Sequence, residues 1–231
     1  MSVSPIATMF DRISPKYDAL NHLLSFNIDK VWRRKTAREV AKRQPATILD
    51  LATGTADLAI ALAKRNPQAH IVGMDISEKM LEIGKRKVAK QKMDSQIELR
   101  IGNAANLPFE DNTFDAVTVA FGVRNFEDLD KGLSEIHRVL KPNGRAVILE
   151  FSMPEHFPVK QLYRFYFKHL LPHIGSIVSK DKNAYSYLPA SVERFPKPSV
   201  FVEMLAQKGL SNGQAKPLTF GIATLYTATK V

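Results

Sequence analysis

ILDLATGTADLA, residues Ile48 to Ala59, decides how this chain folds. Ile48, Leu49 and Leu51 suit a buried strand, Thr53-Gly54-Thr55 lets the backbone turn sharply, and Ala56 to Lys64 follows with helix-forming spacing. A second apolar run, IVGMD, ends in Asp75, 21 residues after Gly54. Strand, glycine turn, helix and a second strand closed by an acid together read as a nucleotide-cofactor pocket, in which the acid accepts both hydroxyls of an adenosine ribose.

The loop's details choose between nucleotides. A dinucleotide fingerprint, G-x-G-x-x-G, with its second glycine on Gly54 would need glycines where Ala52 and Asp57 stand. Asp57 would also lie in the first helical turn, where its charge repels a pyrophosphate. S-adenosylmethionine has no phosphate; it carries an ammonium and a sulfonium, and Asp50 at the carboxyl end of the first strand is placed to offset positive charge. A methyl donor therefore fits this loop better than a dinucleotide.

Outward from the loop, strands are expected near 47–51, 70–74, 97–101, 114–120 and 145–151, with helices near 56–65, 77–92 and 128–140. Such alternation implies a parallel sheet covered on both faces. Asp111-Asn112-Thr113 and Lys141-Pro142-Asn143-Gly144 supply turns ahead of the fourth and fifth strands. Residues 5–43 read as two or three helices, with Asp29 as a cap before Lys30 to Lys42. After Glu150 the composition becomes aromatic. VKQLYRFYFKHLL, residues 159–171, sets Lys160, Arg164 and Lys168 on one helical face and Val159, Leu162, Tyr163, Tyr166 and Leu170 on the other. Pro196 to Gln207 reads as a further helix, and the alternating end of the chain, with its Asn212-Gly213, as an antiparallel strand pair closing the sheet edge. The expected layout is one domain over 1–231, divided into a helical cap (1–46), a cofactor-binding core (47–150), a substrate lid (151–200) and closing helix and strands (201–231).

The absence of cysteine excludes disulfides, thiolate zinc sites and thiol nucleophiles. Met1 to Phe10 has no basic-then-apolar pattern, and no run of about 18 apolar residues occurs, so a soluble, cytoplasmic protein is expected. The net charge is +10, nine of it in the segments 1–46 and 151–200 that flank a nearly neutral core. That split suits nucleic acid, an anionic membrane surface or an acidic substrate.

In an open alternating sheet the ligand lies across the carboxyl ends of the strands. Position thus selects Thr55 near the methionine part of the cofactor, Asp75 at the ribose and Asn103-Ala104 beside the adenine. AFGVRN, Ala120 to Asn125, follows the fourth strand and brings Arg124 near the methyl-transfer position.

These motifs closely resemble the C-methyltransferases of ubiquinone and menaquinone biosynthesis, within the class I S-adenosylmethionine-dependent fold. MFDRISPKYDALNHLLSFNIDKVWRRK (9–35) is similar to the family's amino-terminal signature, ILDLATGTADLA to its cofactor loop and GMDISEKML (73–81) to its ribose strand. NAANLPFEDNTFDAVTVAFGVRNFED (103–128) and RVLKPNGRAVILEFSMP (138–154) resemble its central signature, and AYSYLPASVERFP (184–196) a segment of its carboxyl third. The resemblance implies a Rossmann-like α/β fold with a mostly parallel seven-stranded sheet, an antiparallel carboxyl-terminal pair and a helical cap. It implies methylation of a ring carbon on a polyprenylated quinol, demethylmenaquinol first, with Thr55, Asp75, Asn103 and Ala104 as cofactor contacts beside Asp50 and Gly54. No metal is expected. Ala56 stands at a family glycine, which should weaken cofactor affinity, Asn143 stands at another, and Ala120 stands where some members have serine.

A quinol carbon becomes nucleophilic when an adjacent hydroxyl loses its proton, so a general base and a cation holding the phenolate are expected. Arg124 takes the second role. The base stays open among Asp18, His22, His156, His169, Tyr185 and Tyr187, while His70 and His137 read as scaffold. A membrane-dwelling substrate also accounts for the charge split: the basic leader and the 151–200 segment would dock on anionic lipid at the inner face of the membrane. A homodimer is possible. Three other readings rank lower. A nucleic-acid methyltransferase would lack both the Asn/Asp-Pro-Pro-Tyr/Phe loop and a catalytic cysteine, so no nucleic acid is expected. A non-catalytic binding module does not need intact cofactor residues, and a nicotinamide reductase needs the pyrophosphate loop.

Overall fold

The computed structural model describes residues 4–25, 27–165 and 182–231. Its centre is a seven-stranded sheet built from β1 (Thr47–Leu51), β2 (His70–Asp75), β3 (Ile97–Ile101), β4 (Phe114–Ala120), β5 (Leu140–Phe151), β6 (Leu210–Leu218) and β7 (Ala223–Lys230), in the order β3-β2-β1-β4-β5-β7-β6. The first five run parallel; β7 is antiparallel to both β5 and β6. The chain leaves β1 toward β2 and β3 on one side and returns to β4 on the other, so the loops after β1 and β4 part and open a crevice at the carboxyl ends of the strands.

Helices cover both faces: α1 (Pro5–Leu24), α2 (Ile28–Ala41), α3 (Asp57–Arg65), α4 (Glu78–Lys90), α5 (Leu129–Val139), α6 (Val159–Phe165), α7 (Lys182–Arg194) and α8 (Pro198–Gln207). Neighbouring strand residues point to opposite faces, which is why the strands read as continuous apolar runs rather than alternating ones. Ile48 packs with Trp32, Leu58 and Leu62 on one side of the sheet; Leu49 packs with Leu133, Ile136, Phe201 and Leu205 on the other. Each such side chain stabilises the fold by roughly 1.5–3 kcal/mol. Caps fix the helix entries: Ser77 Oγ accepts from the Met80 amide at 3.2 Å, and Asp128 from the Lys131 amide at 3.0 Å. In α1, Pro15 cannot donate to the Asp11 carbonyl, and the Ser14 hydroxyl does so instead at 3.0 Å, which keeps the helix continuous.

Three local readings are corrected. Asp29 does not cap α2; Asn27, in the left-handed region at φ 60°, precedes the helix, and Asp29 is buried inside the first turn. Lys141 to Gly144 is not a turn ahead of β5 but a bulge within it, since Leu140 already pairs with Phe114 before Arg145 pairs with Ala116. Asn143 adopts φ 63° there, as a residue replacing glycine must. Asn212-Gly213 likewise makes a bulge inside β6, and the hairpin turns instead through Thr219–Gly221. On the apolar face of 159–171 Tyr163 is buried and Leu162 is 65% exposed. Lys168, Tyr166 and Leu170 lie outside the described residues.

Candidate active site

Two chambers meet at the crevice. The first is lined by Gly54, Ile76, Asn103 and Ala104 from the loops after β1, β2 and β3, by Asp75 at the end of β2 and by Met80 of α4, and it is roofed by Ile6, Phe10 and Tyr17 of α1. The second lies between α1, α2 and α7 and is lined by Ile13, Asp29, Arg33, Arg124, Phe151 and Tyr187. They enclose about 700 and 690 Å³, counting space open to solvent, and share Phe10, Tyr17 and Phe121 as a common wall.

The loop after β1 owes its shape to three alternate left-handed positions, Ala52, Gly54 and Ala56, at φ 50°, 56° and 65°. Only the middle one is glycine, so the loop stores backbone strain at both alanines. The glycine at position 122 has a different cause: a Cβ there would lie 2.3 Å from that of Ala52, where the β1 and β4 loops touch.

Asp75 holds this loop. Its carboxylate accepts from the Gly54 amide at 2.8 Å and the Ser77 amide at 2.9 Å. Burial pushes its pKa up to about 6, against the pull of those amides. Asp50 is also pushed up to about 6 by burial, but it sits beneath the loop, 1% exposed, accepting the hydroxyls of Thr118 and Thr53 at 2.6 Å each. Asp50 and Thr55 line a small adjoining recess with Tyr17 and Arg33. The Thr55 hydroxyl donates to Asp18 of α1 at 2.6 Å, and Lys87 of α4 donates to Asp18 at 3.0 Å and also pairs with Asp57. Asn103 turns its amide to Glu127 at 3.1 Å and its oxygen to the Ala105 amide at 2.9 Å. Gly54, Asp75, Asn103 and Ala104 thus share one chamber, with Asp50 and Thr55 at its back.

Arg124 faces the second chamber from a buried ion pair. Its Nη1 donates to Glu150 Oε1 and to the Phe121 carbonyl, both at 2.6 Å, and its Nε to Ser191 at 3.3 Å, leaving Nη2 without a partner among the described residues. The guanidinium is 7% exposed and Glu150 fully buried. Phe121, left-handed at φ 60°, stacks on Phe151 with ring centroids 4.4 Å apart, and the Arg33 guanidinium lies 5.2 Å from its centroid. Arg33 is held by Asp29, which also accepts from Ser25 at 2.7 Å and contacts His22 Nδ1 at 2.9 Å. The Asp29 carboxyl is held low by Ser25, Arg33 and His22, which outweigh burial. Burial raises the Tyr17 phenol, partly offset by Arg33 and Arg124.

Of the base candidates, Tyr187 lines the second chamber, donating to Asn125 Oδ1 at 2.9 Å, and burial holds its proton to higher pH. His22 lies behind Asp29, Asp18 is tied to Thr55 and Lys87, and His156 is exposed ahead of α6. His169 and the Tyr185 side chain lie outside the described residues. His137 packs against Gly209, and His70 is exposed near Glu98, away from either chamber. Sequence reasoning missed Phe10, Tyr17, Phe121 and Glu150. Phe10 and Tyr17 are seven apart on α1, a spacing that places them on one face, and Glu150 ends an apolar strand as Asp50 and Asp75 do.

A seven-stranded sheet of this order, with its crevice between β1 and β4, defines the class I fold of S-adenosylmethionine-dependent methyltransferases. A SAM-dependent methyltransferase from Aquifex aeolicus shares it at TM-score 0.61 and 20% identity, covering 84% of this chain and 89% of that one. A Methanococcus maripaludis protein put forward as an S-adenosyl-L-methionine-dependent methyltransferase shares it at TM-score 0.66 and 21% identity, covering 96% and 93%. The chain belongs to the ubiE/COQ5 methyltransferase family, whose description matches residues 2–230. It is 48% identical over 225 residues to the demethylmenaquinone methyltransferase of Bacteroides fragilis, covering 97% of this chain and 92% of that protein. It is 47% identical over 226 residues to the ubiquinone/menaquinone biosynthesis C-methyltransferase of Geotalea daltonii, covering 97% and 96%.

Proposed function

We propose that this methyltransferase moves the methyl group of S-adenosylmethionine to a ring carbon of demethylmenaquinol. The observation that carries the reading is the pair of chambers sharing one aromatic wall: one offers a carboxylate and backbone amides, the other aromatic rings and two arginines. The names of the relatives supply the acceptor. In the donor chamber Asp75 would take the ribose hydroxyls through its remaining lone pairs, Asn103 and Ala104 would flank the adenine beside Ile76 and Met80, and Gly54 would let the backbone approach. Asp50 would act from beneath the loop as a buried negative charge, and Thr55 through its link to α1.

The bound sulfonium supplies an already activated methyl group. What remains for the protein is to align donor and acceptor and to exclude water, worth up to about 7–11 kcal/mol. Phe121 and Phe151 would stack on the quinol ring, and Nη2 of Arg124, without a partner among the described residues, would hold the phenolate oxygen. Pairing with Glu150 fixes the guanidinium plane in advance, so that little reorganisation accompanies the reaction. Labelled S-adenosylmethionine, offered with reduced demethylmenaquinone, a ubiquinone-precursor quinol and tRNA in separate tubes, should put label in the naphthoquinol. Label in RNA alone, or in nothing, would overturn the reading.

The same substrate motivates a peripheral role at the membrane. Among the described residues no helix is long and apolar enough to cross a bilayer, yet a prenylated quinol resides in one. The excess positive charge of 1–46 and 151–200 would hold the protein to anionic lipid. Equal flotation with anionic and neutral vesicles would refute this docking.

A further inference from the structure

The tip of the β6–β7 hairpin carries two costs. Thr219 and Phe220 both adopt left-handed backbone, at φ 45° and 57°, and the Phe220 ring is 80% exposed. Non-glycine residues avoid that region, and a large ring avoids water, so a segment combining both is held for something outside itself. The hold is specific. Trp32 Nε1 of α2 donates to the Thr219 hydroxyl at 2.8 Å, and the Ser152 hydroxyl donates to the Gly221 carbonyl at 2.8 Å.

We infer that this tip is a membrane-inserting peg, with a phospholipid bilayer of anionic surface as its partner. Three observations favour lipid over a protein partner. Further exposed apolar side chains follow close by: Gly221 packs on Pro154, from which the chain runs to Phe157, 81% exposed, and then to Leu162 on α6. The helix that braces the tip is basic: Lys30, Arg34, Lys35 and Arg38 are exposed and have no ion pair among the described residues, Lys30, Arg34 and Arg38 lining the groove between α2 and α3, and such charge suits a surface of phosphate diesters. Finally, Trp32 leads inward to the acceptor chamber, its ring 6.0 Å from Phe121 and 6.2 Å from Phe151. Docking through Phe220 would set that chamber over the lipid that holds a prenylated acceptor. The inference rests on the quinol reading above and deepens it by naming the surface.

Phe220→Asn separates docking from folding, because asparagine tolerates left-handed backbone while removing the ring. With phosphatidylglycerol-containing vesicles, the variant should float at least tenfold less than wild type, with its thermal midpoint unchanged or higher; Phe157→Ser should show a smaller loss. Methyl transfer to a water-soluble naphthoquinol without a prenyl tail should be unchanged, whereas transfer to a long-tailed acceptor in vesicles should fall about tenfold. Wild-type flotation by Phe220→Asn would overturn the peg. A wild-type dimer that Phe220→Asn dissociates, with flotation intact, would assign the tip to a second copy of the chain instead. Failure of the wild type to methylate the soluble naphthoquinol would refute the quinol reading without touching the vesicle result.

Discussion

Replacing Arg124 alone would confound chemistry with stability, and the structure shows how to part them. Glu150 is fully buried and takes both Arg124 Nη1 at 2.6 Å and the Phe151 amide at 2.8 Å. Arg124→Met leaves that carboxylate uncompensated in the interior, a loss of about 3–5 kcal/mol. With a chain of this size losing roughly 2–4 °C per kcal/mol, the melting midpoint should fall by roughly 6–20 °C. Arg124→Met with Glu150→Gln removes both charges; the glutamine oxygen can still accept from the Phe151 amide, but its NH2 cannot accept from the backbone amide of position 124 as Glu150 Oε2 does, so stability should return to within about 1–3 kcal/mol of wild type, above the single variant. Turnover should stay at least tenfold down in both variants, with S-adenosylmethionine affinity kept, because the phenolate has lost its cation. Denaturant unfolding, equilibrium dialysis of the cofactor and methyl transfer measure the three quantities separately. A double variant with recovered stability and wild-type turnover would refute the proposed role of Arg124 and leave the pair a structural one.

Three further outcomes follow from the donor chamber and the helix that roofs it. If Asp75 must be ionised to accept the ribose hydroxyls, cofactor affinity should weaken about tenfold for each pH unit below 6, since the carboxyl is pushed up to about 6. Flat binding between pH 5 and 7, or an Asp75→Asn variant binding as wild type, would remove Asp75 from recognition. The same shift has the opposite sign for the unliganded fold: Asp50 and Asp75 contribute stability that is full below the ordinary carboxyl pKa and is lost as pH rises through about 6. Asp18→Ala should release α1, since Asp18 accepts from both Thr55 and Lys87. At about 1.5–3 kcal/mol for a hydrogen bond to a charged group, amide exchange in α1 should quicken roughly tenfold to a hundredfold, and unchanged protection would show that packing alone holds the helix.

The core of the sheet was legible because burial on both faces imprints long apolar runs, and the boundaries of β1, β3 and β4 match the expected ones. The acids closing β1 and β2 were legible by position. What stayed hidden depends on contacts between distant segments. Asp29 has the composition of a cap, yet Arg33 and His22 draw it inward. Tyr17 looks like any amphipathic-helix residue until α1 folds across two loops. Lys141 to Gly144 has turn chemistry, and turn chemistry serves a bulge equally well when Leu140 can already pair with β4. Ala56 was expected to weaken cofactor affinity; its φ of 65° shows that a glycine there would relieve backbone strain as well.

Helix α1 presents Phe10 and Tyr17 to both chambers at once, although among its described side chains only Ala7 and Ser14 are fully enclosed and Tyr17 is half-buried. A helix so lightly anchored gains order from whichever ligand arrives first, and the second then meets a wall already in place. Methyl donor and acceptor would accordingly tighten each other's binding by one and the same factor, whichever is added first, and the demethylated product would relax its hold once the methylated acceptor had left.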